Sequence, residues 1–117
     1  MNEQRLVLAH LFGDGQSFDD MQWQPMRPGI EIARLYGDGS WGPSAALLRY
    51  AKGARLPRHR HTGYEHIFVL RGSQRDENGT YPAGSCLIHG EHTAHSVTSD
   101  DGCVVLAVWQ GPVLFLD

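Results

Sequence analysis

The sequence predicts an all-β domain, a sandwich or barrel of about eight short strands. Short apolar and β-branched runs recur along the chain, and Gly, Asn, Asp and Pro turn signals separate them. No stretch has the length and period of a long helix.

Taken in order, residues Glu3 to Phe12 offer the one plausible helical turn. Gly13 to Pro28 is loop-like, with Trp23 and Met26 available to cap one end of a barrel. Strand-like runs follow at Ile30–Leu35, Ala45–Tyr50, Leu56–His61, Glu65–Leu70, Ser85–His89, His95–Thr98, Cys103–Gln110 and Val113–Leu116. Asp38-Gly39, Asn78-Gly79, Pro82 with Gly84, Asp101-Gly102 and Gly111-Pro112 punctuate them. Asn78-Gly79 is the sharpest turn signal, because both residues tolerate the positive φ of a tight hairpin. The expected organisation is one domain over 1–117, with an N-terminal segment (1–28) and a barrel (29–117).

With 117 residues there is room for one core. A 41% hydrophobic, 20% charged composition is that of a globular chain. At a formal net charge of −3, with Arg55, Arg58 and Arg60 interleaved among histidines, no nucleic acid or membrane partner is expected. No apolar run approaches the ~18–20 residues of a membrane span. Arg5 to Gly13 is too short and too broken by His10 to be a signal peptide's apolar region. Cys86 and Cys103 read as reduced, buried thiols of a cytoplasmic protein.

The chemistry gathers in Gly53 to Gly72. Side chains alternate along a strand, so His59 and His61 project to one face and Arg60 to the other. In the next strand Glu65, Ile67 and Val69 share a face. If Glu65 meets the two histidines, an apolar wall lies beneath a polar cluster, which is the character of a pocket. Of His89, His92 and His95, the last opens a new strand after a loop and is favoured as the fourth ligand. His66, on the opposite face from Glu65, reads as packed between sheets or at a dimer contact, and His89 and His92 read as solvated loop residues; the alternatives are a role in the pocket for His66 and substrate contact for His89 and His92. Tyr64 reads as a packed aromatic at a strand start, with a phenol lent to a bound substrate as the alternative. Three imidazoles and one carboxylate suit a divalent transition metal and suit calcium or magnesium poorly.

The spacing Gly53-x5-His59-x-His61-x3-Glu65-x6-Gly72 resembles the first motif of the cupin superfamily at every marked position. The second motif is met in part: Gly84 and His95 stand in register, while Gly90, His92 and Ser99 replace its proline, second glycine and asparagine. The likeness from Pro28 to Cys103 is to ChrR-like cupins, although His66 stands where many of them carry a second acid. The resemblance implies a jelly-roll barrel (double-stranded β-helix) and one divalent ion held by His59, His61, Glu65 and His95. Zinc comes first, with iron, manganese or nickel as alternatives.

Function is therefore expected to be metal binding with a small-molecule ligand in the barrel; whether the chain is an enzyme stays open. The alternative is a mononuclear dioxygenase acting on a small diketone, catechol or thiol. A closed tetrahedral zinc shell would favour a structural role. A homodimer is expected through Leu6, Val7, Leu8 and Leu11, which could equally cover the chain's own barrel. ChrR-like anti-sigma factors carry a sigma-binding segment ahead of the cupin. The present chain begins almost at the barrel, so no sigma-factor binding is expected.

Overall fold

The computed structural model describes residues 5–13 and 18–116. Ten strands form: β1 (Gln24–Arg27), β2 (Ile30–Tyr36), β3 (Ser44–Tyr50), β4 (Arg55–His61), β5 (Glu65–Asp76), β6 (Gly79–Pro82), β7 (Cys86–His89), β8 (Ala94–Thr98), β9 (Cys103–Trp109) and β10 (Val113–Phe115). All pairings are antiparallel, in the order β1-β2-β3-β9-β5-β8-β4-β10, with β6 and β7 also on β5. The sheet curls, and its inner face closes around one core.

Two strands escaped the sequence reading. β1 contains Pro25, which withholds a ladder donor, yet β1 pairs only with β2 at the sheet's edge, where proline is tolerated. β6 returns from β5 through a two-residue loop. Asp76 faces Gly79 across it, and the Asn78 amide donates to Asp76 Oδ1 at 2.8 Å. The hairpin falls where Asn78-Gly79 signals it. Its loop residues are Glu77 and Asn78, however, and neither Asn78 nor Gly79 takes a positive φ. The Asp76 side chain stabilises the turn instead.

No helix forms at the N-terminus among the described residues. Glu3 lies outside them, and from Arg5 the chain is coil ending in a turn, with the Gly13 amide on His10 O. His10 at φ 58° breaks any helical continuation.

β5 positions the site. Its first half pairs with β7 and β9; a register shift between Val69 and Arg71 bends it, and its second half pairs with β6 and β8. Gly72 makes the bend possible: at φ 70° a Cβ there would sit 1.9 Å from Gly102 O. One continuous strand thus carries Glu65 at its start and Asp76 at its end to the same interior.

That interior is packed by Ile30, Ile32, Leu48, Ile67, Val69 and Val105 among others, with Met26 against them. Ala33, Leu47 and Leu70 on the outer face are covered by Leu11, Phe18, Met21 and Trp23. β3 is consequently buried on both faces, which explains its unbroken apolar run. Met26 reaches the interior as expected, whereas Trp23 lies outside, under the Arg49 guanidinium. Leu11 covers the chain's own sheet, while Leu6 and Val7 are exposed. Both cysteines are free; Cys103 is buried, but Cys86 is exposed rather than buried as expected.

Candidate metal centre

Register assembles the centre from two walls. On one, His59 of β4 lies opposite His95 of β8 and Phe115 of β10. On the other, Glu65 of β5 lies opposite His89 of β7 and Trp109 of β9, and Trp109 lies opposite Ser44 of β3. Directly opposed residues of antiparallel strands share a face, so each row points inward together. His59, His61, Glu65 and His95 are all buried, while Arg60 between the two histidines is exposed.

Contacts within the cluster are specific. Glu65 Oε1 stands 3.0 Å from His61 Nε2 and 2.9 Å from His89 Nδ1. Glu65 Oε2 accepts a hydrogen bond from the Trp109 indole at 2.6 Å. His59 Nδ1 donates to Pro57 O at 2.8 Å, and His95 Nδ1 to Asp76 Oδ2 at 3.2 Å. The Thr93 hydroxyl donates to Gly90 O, so at 3.0 Å from His61 Nδ1 it can only accept.

Those partners fix the tautomers. His59, His61 and His95 each spend their Nδ1 hydrogen on an outward acceptor, which leaves Nε2 as a lone pair. The consequence is sharpest at His61. Its Nε2 is buried without a hydrogen-bond partner, yet it faces a carboxylate oxygen. Two lone pairs at that distance repel unless a cation, either a proton or a metal ion, stands with both. Neighbouring ligand atoms on one ion, with bonds of about 2.1 Å, lie roughly 3 Å apart. The donor set and the orphaned nitrogen fit a divalent transition metal.

The electrostatics agree. Burial raises the Glu65 carboxyl, but His61, His89 and the Trp109 N–H overcome that and hold it far below the usual carboxylate range. Burial lowers His59, with the Pro57 hydrogen bond opposing in part. Burial, then the charges of His59 and His89, push His95 down to about 4. A charged Glu65 carboxylate beside His59 and His95, both held toward the neutral form, is the state in which such groups bind a metal ion.

Against the expected set of His59, His61, Glu65 and His95, the structure gathers His61, Glu65, His95 and His89 with their ligand atoms within 4.8 Å of one another. His59 stands beside that group, its ring centroid 4.6 Å from His95 and 5.2 Å from His61. His89 is no solvated loop residue: it ends β7, is largely buried, and stacks on His61 at 5.1 Å. Sequence reasoning missed it because only the register of β7 on β5 puts it beside Glu65. Asp76 and Trp109 were missed for the same reason. His92 is exposed next to Glu91, and His66 is half-buried outside the cluster. Tyr64 is exposed rather than packed.

A cavity of about 140 Å³ adjoins the centre; His59, Glu65 and His95 line it together with Ile32, Leu48, Ile67, Val97, Trp109 and Phe115. Arg34 and Ser44 also line it, so polar groups stand on either side of apolar walls.

Comparison with known proteins identifies the family and the fold. The family described as the ChrR Cupin-like domain matches residues 14–114. The structure is similar to ChrR in the Rhodobacter sphaeroides SigE complex, at 30% identity and TM-score 0.72, covering 81% of this chain and 52% of that one. It is similar to an RmlC-like cupin from Ralstonia eutropha at 25% identity and TM-score 0.74, covering 86% and 70%. It shares its fold with an acetylacetone dioxygenase from Acinetobacter johnsonii at 17% identity and TM-score 0.76, covering 100% and 83%. No curated protein sequence matches the chain.

One expectation is overturned. The absence of sigma-factor binding was inferred from where the chain begins, but that start says nothing about what the barrel itself can meet. The ChrR chain similar to it occurs in a complex with a sigma factor, and the present chain spans about half of that protein's length.

Proposed function

We propose that this chain, which belongs to the ChrR Cupin-like domain family, binds one divalent transition metal and a small molecule in the cavity beside it. The observation that carries the reading is the buried His61 Nε2, unpartnered and 3.0 Å from Glu65 Oε1. His61, Glu65 and His95 form the constant part of the proposed ligand set. His59 completes it, its Nδ1–H turned outward to Pro57 O, whereas His89 spends its Nδ1–H inward on Glu65 Oε1 and so braces that carboxylate.

The chain's own residues hold this arrangement. Pro57 O, Thr93 Oγ1 and Asp76 Oδ2 orient three imidazoles, and the Trp109 indole steadies the carboxylate. Bound iron would supply oxygen-activating chemistry, and bound zinc a structural or ligand-sensing centre. The dioxygenase reading is supported by the cavity, whose lining includes His59, Glu65 and His95. Elemental analysis of protein purified anaerobically is the test. About one transition-metal ion per chain supports the proposal, and a metal-free chain that takes up no added zinc or iron sinks it.

A partner of the sigma-factor class belongs to the same proposal, on the strength of the ChrR–SigE likeness. A pull-down with purified sigma factors tests it, and retention of none would remove that partner class.

A further inference from the structure

The cavity has a second polar end that metal binding does not use. Ser44 Oγ is buried, with the residue 1% exposed, and has no hydrogen-bond partner. It lies two strands from Glu65 on the inner face, by way of Trp109. That is roughly 10 Å at the usual strand spacing. Such an unpaired hydroxyl destabilises the folded chain until something bonds it.

Arg34 reaches the same cavity from β2. It is opposite Ala46, a core residue, so it belongs to the inner face although it sits at the exposed mouth. Its guanidinium lies against Gly39, where a Cβ would come 3.2 Å from Nη1. Asp38 attracts Arg34 at longer range, but its carboxylate is engaged by Ser40, from the amide at 2.9 Å and from Oγ at 2.6 Å. Among the described residues Arg34 makes no hydrogen bond or ion pair, so its planar fork of donors faces the cavity mouth uncommitted. Between this end and the histidines the walls are apolar, with Ile32, Leu48 and Trp109.

We infer that Arg34 and Ser44 form a carboxylate-binding subsite, and that the cavity's ligand is a small acid. Its metal-binding group lies at the Glu65 end, an apolar middle spans the chamber, and its carboxylate meets Arg34 and Ser44. The inference rests on the metal reading for the far end only. The near end is read from the two polar side chains themselves.

The test compares three probes by calorimetry on zinc-loaded and chelator-stripped protein: acetylacetone, 4,6-dioxoheptanoate and the methyl ester of that acid. All three carry the same diketone, and only the second carries a charge. Wild type should bind the acid about tenfold more tightly than the ester, the scale of one charge-assisted hydrogen-bond pair. Arg34→Gln should erase that preference while leaving acetylacetone and ester affinities within about twofold. Ser44→Ala should reduce the preference severalfold, with thermal melts confirming that both variants fold. Equal binding of acid and ester by wild type, no binding of the acid, or a preference surviving Arg34→Gln would each overturn the subsite. Elemental analysis of the same samples separates the two readings. A metal-free chain that still prefers the acid loses the metal and keeps the subsite, and a metal-loaded chain without the preference does the reverse.

Discussion

Asp76 and His95 meet at 3.2 Å, carboxylate Oδ2 to ring Nδ1, although they come from strands that turn toward each other only because β5 bends at Gly72. Asp76 is itself held by the Asn78 amide and the Tyr81 hydroxyl. Burial would raise its carboxyl, and these bonds with that of His95 keep it low and charged. A charged acceptor behind a metal-binding imidazole fixes the ring and raises its basicity.

Removing that acceptor should weaken metal binding without removing a ligand. Asp76→Ala is expected to lower zinc affinity by about 10- to 100-fold. Asp76→Asn, which retains an acceptor oxygen, should fall between wild type and Ala. Competition against a chromogenic chelator reads both. An Ala variant with wild-type affinity would detach Asp76 from the centre.

Three substitutions test the proposed ligand set. His61→Ala and His59→Ala should each leave the chain with little or no bound metal and a lower melting temperature. His89→Ala should keep the metal, losing only a donor to Glu65. Metal content by elemental analysis separates these, and the opposite result for His59 and His89 would exchange their roles.

Trp109→Phe keeps the ring but leaves Glu65 Oε2 without its 2.6 Å indole donor. A buried charged acceptor deprived of its partner costs about 1–3 kcal/mol. The metal-free protein should therefore melt several degrees lower. Denaturant unfolding measures the loss, and unchanged stability would show that the indole bond contributes nothing net.

Acid sensitivity follows from the histidines. His95 is pushed down to about 4 in the folded chain, against ~6.5 unfolded. As pH falls below ~6.5 the unfolded chain takes up a proton that the folded chain refuses. Stability of the metal-free protein is thus lost from ~6.5 down to about 4, with His59 acting in the same direction. The slope is at most about 1.4 kcal/mol per pH unit for each histidine. Glu65, held low, extends the loss below the ordinary carboxylate range. Melting temperatures of chelator-treated protein between pH 7.5 and 4.5 should decline throughout, and a flat profile would contradict the burial of these rings.

The β class, the strands that carry the centre, and the shared face of His59 and His61 were legible in one dimension, because period-two alternation is a local property of a strand. That His61, Glu65 and His95 gather in one cluster was legible too, since the first cupin-like motif is compact in sequence. β1 was hidden because Pro25 argues against a strand everywhere except at an edge, and edges exist only once a sheet has an order. What the tertiary structure alone decided is the company each donor keeps. His89 stands 24 residues from Glu65 and Trp109 stands 44 from it, and both lie beside it through the registers of β7 and β9. Alternation tells a side chain which face it occupies; its neighbours on that face are set by register across the whole sheet, which no short window of residues contains.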